Sequence, residues 1–308
     1  MKYFLLMIPK LSIVAQGGGM RGAYALGAVD ALYSHFGLKR VDTVTGSSAS
    51  VGTLTYFTSG QFYPAMNLWI NELSNGRFLS FTNIFKKRPI LDIDYLIDEV
   101  YKYKIPLDID KLFSSKTELI VPLTNVQTGE VRYVSSKDRF SGFDPWNVLK
   151  ASMAIPVAYG KTPIIGGETY FDSAYGNCIP FDIPTLEDSL KIIILTRNSP
   201  PKLDINELNP EKVPIPHFGL FHGKLREQMK KSELKFLHKL KIIEQLKSQG
   251  HIVIQPQIML PRFDNSKRNL ERCIEEGRKD VINNYGIQEL IKRLKSSSKA
   301  KFYFEESI

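Results

Sequence analysis

The sequence predicts an α/β protein with a central, mostly parallel sheet flanked by helices, on three observations. Residues 11–60 run strand, glycine loop, helix, strand, serine turn, helix, the alternation of a parallel βαβα unit. Further strand candidates follow at 117–124, 131–135, 168–171, 191–196 and 251–255, with a helix at 145–153 among them, so the sheet is expected to be mixed. The chain has 308 residues, 43% hydrophobic and 24% charged, which is long enough to bury a large core and is the composition of a compact folded protein.

Each element has a local reason. Residues 11–16 form the first strand, and Ala25, Ala28, Val29, Leu32 and Phe36 fall at helical spacing as the inward stripe of the first helix. Residues 41–45 form the second strand. Residues 61–104 read as a helical, aromatic-rich insertion or cap over the sheet, interrupted by a loop at 79–89 that carries Lys86, Lys87 and Arg88. A Pro-rich stretch covers 200–216, and a long basic helix follows at 224–248, with Leu225, Met229, Phe236, Leu240 and Ile243 on one narrow face. Two helices and a Ser/Lys-rich end are expected to finish the chain. The expected organisation is an amino-terminal extension (1–10), a core (11–200) containing the insertion, and a helical extension (201–308) packed on that core.

Composition narrows the function. Lys and Arg number 41 against 32 Asp and Glu, a net charge of +9 that favours acidic partners such as an anionic lipid surface or nucleic acid. Cys178 and Cys273 are too few for a disulfide framework and lack zinc-site spacing, so a reducing, cytoplasmic setting is expected. Residues 2–8 resemble a secretory leader, but Pro9 and Lys10 interrupt the apolar run, and cleavage near Ala15 would remove the first strand. No run reaches the roughly 20 apolar residues of a membrane-spanning helix, so membrane contact is expected to be peripheral.

Two motifs carry chemistry. Gly17, Gly18, Gly19, Met20, Arg21 and Gly22 lie between a strand and a helix, where backbone amides and the positive helix end make a site for phosphate or for a developing oxyanion. The same glycines match the dinucleotide-binding pattern, with Asp42 twenty residues beyond Gly22, which keeps open a nicotinamide-dependent oxidoreductase; Asp42, however, falls at the start of the second strand instead of its end. A tight turn without a ligand is the third reading. Gly46, Ser47, Ser48, Ala49 and Ser50 form the second motif, a strand-to-helix turn of small residues that presents Ser48 as a nucleophile elbow. On adjacent parallel strands the two loops would face each other, a geometry suited to acyl transfer.

A serine needs a base. His35 lies on the first helix, while His217, His222, His238 and His251 lie downstream; Ser48, Asp172 and then His217 or His222 would satisfy a triad order. Those histidines lack strand-end context. Asp172 has it, following Tyr170 and Phe171 and opening the turn Ser173, Ala174, Tyr175, Gly176, and in a desolvated site it serves as the base directly. Alone, Asp172 also reads as an ordinary turn residue.

With these motifs in order the sequence resembles the patatin-like phospholipases of the bacterial type. The family's GGGxRG loop matches Gly17 to Gly22, its GxSxG elbow is approximated at Gly46 to Ser50, its ASxxxP block matches Ala151, Ser152 and Pro156, and its DG[GA] aspartate corresponds to Asp172. The resemblance implies the three-layer patatin-like fold and a Ser48–Asp172 dyad without histidine. It implies an oxyanion hole in the loop of Gly17, Gly18, Gly19, Arg21 and Gly22, centred on the Gly18 and Gly19 amides, with Arg21 near it or bracing it. No cofactor or metal is implied. The substrate implied is a phospholipid or lysophospholipid, with peripheral contact to an anionic membrane and no nucleic acid. Ser50 and Ser173 stand where the family has glycine, which leaves open a weakened activity or a non-catalytic basic lipid-binding protein. For the acyl chain, Phe57, Phe62, Tyr63, Trp69, Phe78, Phe81 and Phe85 are candidates; each also reads as ordinary core.

Overall fold

The computed structural model describes residues 10–198 and 224–305, with residues 224–230 described by their backbone alone. Among the described residues, five parallel strands make the larger part of an eight-stranded sheet, with the last of them at its edge: β1 (Lys10–Ala15), β2 (Thr43–Gly46), β3 (Glu118–Asn125), β7 (Ser189–Ile194) and β8 (Ile252–Ile254). Three antiparallel strands complete it: β4 (Val131–Ser135) and β6 (Glu168–Phe171), both paired with β3, and β5 (Ile164–Ile165), paired with β6. The order is β5-β6-β3-β2-β1-β7-β8, with β4 beside β3 off that path.

The β1 sequence explains the layering. Leu11, Ile13 and Ala15 point into one apolar cluster and Val14 into another, so both faces of the sheet are covered, as a parallel sheet requires. The larger cluster holds α1 (Gly22–Asp30), α2 (Ala49–Thr58), α5 (Pro145–Met153) and α7 (Lys267–Ile282). On the other face lies α6 (Lys224–Ser248), which packs Phe236, Leu237 and Ile243 against Val14, Ile193 and Leu195. The long basic helix thus uses its apolar stripe for packing; of the expected stripe, Leu225 and Met229 lie outside the described side chains. Even the charged face contributes, since Lys239 is buried, with Nζ donating to Ile179 O (3.0 Å) beside Asp182 (2.8 Å).

Residues 61–104 form α3 (Phe62–Asn67), which continues as a wider winding through Glu72, then a short helical turn at Phe81–Lys86 inside the expected loop, and a wide-wound helix at Tyr95–Lys104. Phe62, Trp69 and Tyr101 bury into the main cluster, and Lys150 of α5 ties the segment down through Asp94 (2.8 Å). A short helix, α4 (Ile109–Ser114), is N-capped by Asp108 and leads into β3.

Three features depart from the sequence reading. The two-residue β5 is too short to show a period and joins β6 through Gly166 and Gly167, both at positive φ, as a tight hairpin turn demands. The chain ends in three helices: α7, α8 (Tyr285–Lys295) and a short α9 (Ala300–Phe304), whose Tyr303 is fully buried. Finally, α1 is buried on every side instead of along one stripe, because α7 crosses its outer face. A Cβ on Gly277 would lie 2.1 Å from Tyr24 O and one on Gly27 1.9 Å from Ile274 O, so two glycines permit this backbone contact.

Candidate active site

The site stands at the carboxyl ends of β1, β2 and β7, where successive connections leave the sheet in opposite directions and open a crevice. In-register parallel pairing of Ala15 with Gly46 places the glycine loop beside the serine elbow. Hydrogen bonds from distant residues lock the arrangement. Gly17 N–H donates to Ser47 Oγ (2.8 Å), whose hydroxyl donates to Cys178 O (2.7 Å). Ser50 Oγ donates to Gln16 O (2.6 Å), and Thr196 N–H to Gln16 Oε1 (2.9 Å).

Ser48 sits at the turn with φ 52° and ψ −131°, outside the regions a side chain prefers, immediately before the first turn of α2. Asp172 follows β6. Because β3 runs on past the end of β2, and β6 pairs antiparallel only with its last residues, Thr124 and Asn125, the chain comes back from beyond the strand ends and reaches Asp172 close to the level of Ser48. Ser48 Oγ donates to Asp172 Oδ2 at 2.6 Å, and Asp172 Oδ1 accepts from Ala174 N–H at 2.8 Å. The ASxxxP block holds the aspartate's backbone, Asp172 N–H donating to Ala154 O (3.0 Å). Burial pushes the Asp172 carboxyl up to about 6, against the opposing pull of the Ser48 and Ala174 hydrogen bonds and of the Arg262 charge.

The two residues that replace glycine cause no backbone conflict, since neither Ser50 nor Ser173 has positive φ. Ser50 is helical and its hydroxyl caps the end of β1. Ser173 Oγ accepts from Ser48 N–H (2.8 Å) and donates to Ser152 O (3.1 Å), joining the elbow to α5.

The donor set of the glycine loop is narrower than the motif implies. Gly17 N–H is taken by Ser47, Met20 N–H by Arg262 O (3.0 Å), and Gly22 N–H closes the turn onto Gly19 and Met20 carbonyls. Gly17 and Gly22 are therefore spacers and not anion donors: a Cβ on Gly17 would meet Ser47 O at 2.6 Å, and one on Gly22 would meet the Trp69 ring at 2.7 Å. Among the described residues, the amides of Gly18, Gly19 and Ala49 have no partner. Gly19 has φ 59°, and Ala49 opens α2, so its amide belongs to the positive helix end. Arg21 braces the loop through Nε to Gly18 O (3.3 Å); burial and the nearby Arg262 and Arg197 lower it to about 9, still charged at neutral pH.

An apolar slot is lined by Gly19, Ser48 and Ala49 together with Trp69, Phe78, Leu91, Leu96, Tyr101 and Met153. Of the seven aromatic candidates only Trp69 and Phe78 line it. Phe57 and Phe62 are core, packed with Tyr33; Tyr63 of α3 is largely exposed, its ring edge to face with Tyr33, and Phe81 and Phe85 face solvent because the helical turn after Phe78 points its apolar side outward.

Among the described histidines, His35 and His238 are exposed, and His251 Nδ1 accepts from Lys191 N–H (3.1 Å) ahead of β8, away from the strand ends that carry the serine. His217 and His222 lie outside the described residues. Asp42 bonds Leu11 N–H (2.7 Å) and Tyr303 OH (2.9 Å) at the amino end of the sheet, so it faces away from the glycine loop and does not fill the ribose-binding place of a dinucleotide site. Gln16, Thr196 and Arg262 are contributors the sequence reading missed; none lies in a local motif.

A mostly parallel sheet thus presents an elbow serine and a buried carboxylate together at its strand ends, the architecture of the patatin-like class. The chain belongs to the patatin-like phospholipase family, whose model matches residues 13–185. It is similar to the uncharacterized protein YjjU of Escherichia coli (strain K12), 22% identical over 198 residues, covering 63% of this chain and 53% of that protein, so the chain spans about half the length of that relative. In fold it is similar to VipD from Legionella pneumophila, with a TM-score of 0.51 and 14% identity over 93% of this chain and 67% of VipD.

Proposed function

We propose that the protein is a serine acyl hydrolase that cleaves carboxylic esters of phospholipid or lysophospholipid through an acyl-enzyme. The observation that carries this reading is the buried 2.6 Å contact between Ser48 Oγ and Asp172 Oδ2, beside three amides without a partner among the described residues. Asp172 takes the hydroxyl proton as Ser48 attacks the ester carbonyl. The amides of Gly18, Gly19 and Ala49 receive the oxyanion, and a single such donor is worth about 3 to 4 kcal/mol in a barrier. Protonated Asp172 then gives its proton to the leaving alkoxide; water, deprotonated by the same carboxylate, hydrolyses the acyl-enzyme. A carboxyl near 6 suits both directions of transfer close to neutral pH. The slot lined by Trp69 and Phe78 takes the acyl chain.

No helix among the described residues is long and apolar enough to cross a membrane. A cytoplasmic enzyme that meets anionic bilayers peripherally completes the proposal, in keeping with a net charge of +9. The test is fluorophosphonate labelling with an ester panel of lipids and p-nitrophenyl esters. Wild type is expected to label at Ser48 and to hydrolyse, and Ser48→Ala and Asp172→Asn to lose hydrolysis with folding intact. A folded wild type that neither labels nor hydrolyses overturns the reading.

A further inference from the structure

The segment at 79–89 puts three large apolar side chains into water within five residues. Phe85 is 90% exposed, Ile84 58% and Phe81 57%. Lys86, Lys87 and Arg88 follow directly, all exposed, and none has an ion-pair partner among the described residues. Single exposed apolar residues are ordinary, but a contiguous group of them beside a cluster of one charge sign marks a binding surface.

The exposure is built into the segment. Asn83 is buried as an internal peg, its side-chain amide donating to Pro89 O (3.2 Å), and its own carbonyl accepts from Arg88 N–H (2.9 Å). The turn around this peg leaves Ile84 and Phe85 on the outside, and it closes through Lys87 in the left-handed region (φ 54°). Below the turn, Ser80 N–H donates to Ile90 O (2.9 Å) and Asp92 N–H to Phe78 O (2.8 Å), pairing the two arms of a stem. Phe78 and Leu91, one in each arm, are also walls of the slot that Ser48 lines. A second exposed pair, Ile258 and Met259, stands on the segment bearing Phe263, whose ring meets Phe81 edge to face at 6.2 Å.

We infer that residues 81–88 are a membrane-docking wedge, in which Phe81, Ile84 and Phe85 enter the acyl region of a bilayer while Lys86, Lys87 and Arg88 engage anionic headgroups. Basic residues placed at the depth of the headgroups, immediately beside an apolar tip, are the charge pattern an anionic bilayer complements. A neutral apolar partner would leave three cations unused. The stem then brings the Phe78 and Leu91 walls of the slot to the membrane, so that a lipid chain reaches Ser48 without crossing bulk water; this consequence rests on the hydrolase reading, while the docking itself does not.

The experiment separates the two. Binding is read by flotation of full-length Ser48→Ala protein with vesicles of phosphatidylcholine, with and without phosphatidylglycerol. Adding Ile84→Ser and Phe85→Ser is expected to weaken binding to anionic vesicles about tenfold or more. Adding Lys86→Gln, Lys87→Gln and Arg88→Gln is expected to abolish the preference for phosphatidylglycerol and the sensitivity to salt. With Ser48 intact, the wedge variants are expected to hydrolyse soluble p-nitrophenyl butyrate as wild type does and vesicle lipid more slowly. Vesicle binding unchanged by the wedge substitutions overturns the inference, as does a wild-type dimer, seen by sedimentation velocity, that the Ile84→Ser/Phe85→Ser pair dissolves. Absence of ester hydrolysis in wild-type protein that still binds vesicles would instead count against the hydrolase reading.

Discussion

At Ser48 the backbone holds a conformation that costs a non-glycine residue about 1 to 3 kcal/mol, and neighbouring hydrogen bonds offset it. Ser173 supplies one of these bonds, to the Ser48 amide. Ser173→Gly, which restores the family's usual residue, leaves that buried amide unpaired; we expect a loss of about 1 to 3 kcal/mol in urea unfolding, together with slower hydrolysis. In the proposed reaction Asp172 sets the pH behaviour. As a base it must be ionised, so kcat/KM is expected to fall roughly tenfold per pH unit below about 6. The stability effect has the opposite sense. The folded-state carboxyl is raised above its ordinary 3.8, so its contribution to stability is present below about pH 4 and is lost as pH rises through about 6. Asp172→Asn is therefore expected to be more stable than wild type at about pH 8, on the order of 1 to 3 kcal/mol, with no such advantage at about pH 4, as measured by denaturant unfolding at both values.

Elements meet here through residues chosen for absence of bulk or for shape. The crossing of α1 on α7 depends on Gly27 and Gly277, whose missing Cβ atoms would otherwise strike backbone carbonyls that have no rotamer to retreat into. Gly277→Ala is expected to cost about 1 to 3 kcal/mol or more, visible as a lowered Tm. Trp69 shapes the slot in the same way, with its ring against Gly22 and its indole N–H donating to Thr53 Oγ1 (3.2 Å). Trp69→Ala enlarges the slot, and the preferred p-nitrophenyl ester is expected to shift to a longer acyl chain; an unchanged chain-length profile would show that the acyl group lies elsewhere.

Across the whole molecule, the segment from β8 through α9 is part of the main core. β8 extends the sheet beside β7, and Leu270, Cys273, Ile274 and Val281 of α7 are buried in the cluster that contains α1. A chain ending near residue 250 would expose all of α1's outer face, and we expect it to be insoluble or to lack a cooperative thermal transition. The carbonyl of Arg262 fixes Met20 of the glycine loop, so the same truncation also removes a support of the site. Basic residues are divided between tasks at this scale: Lys239 is buried in packing on one face, while Lys86, Lys87 and Arg88 remain in water.

By itself the sequence determined the alternation of strands and helices, the glycine loop, the elbow serine and the candidate aspartate. Those features are encoded by neighbouring residues, through turn chemistry at Gly17 to Gly22 and Gly46 to Ser50 and through apolar periodicity in the helices. Tertiary structure supplied the contact of Asp172 with Ser48 that the sequence only suggested, and alone decided that Gly17 and Gly22 space the loop while, among the described residues, Gly18, Gly19 and Ala49 keep their amides open. It also decided that Phe78 faces the slot and Phe85 the solvent, although only six residues lie between them. The physical reason is that hydrogen-bond satisfaction and burial are set by partners such as Thr196, Cys178 and Arg262, which chain closure brings to the loop from more than a hundred residues away and which leave no local pattern in the sequence.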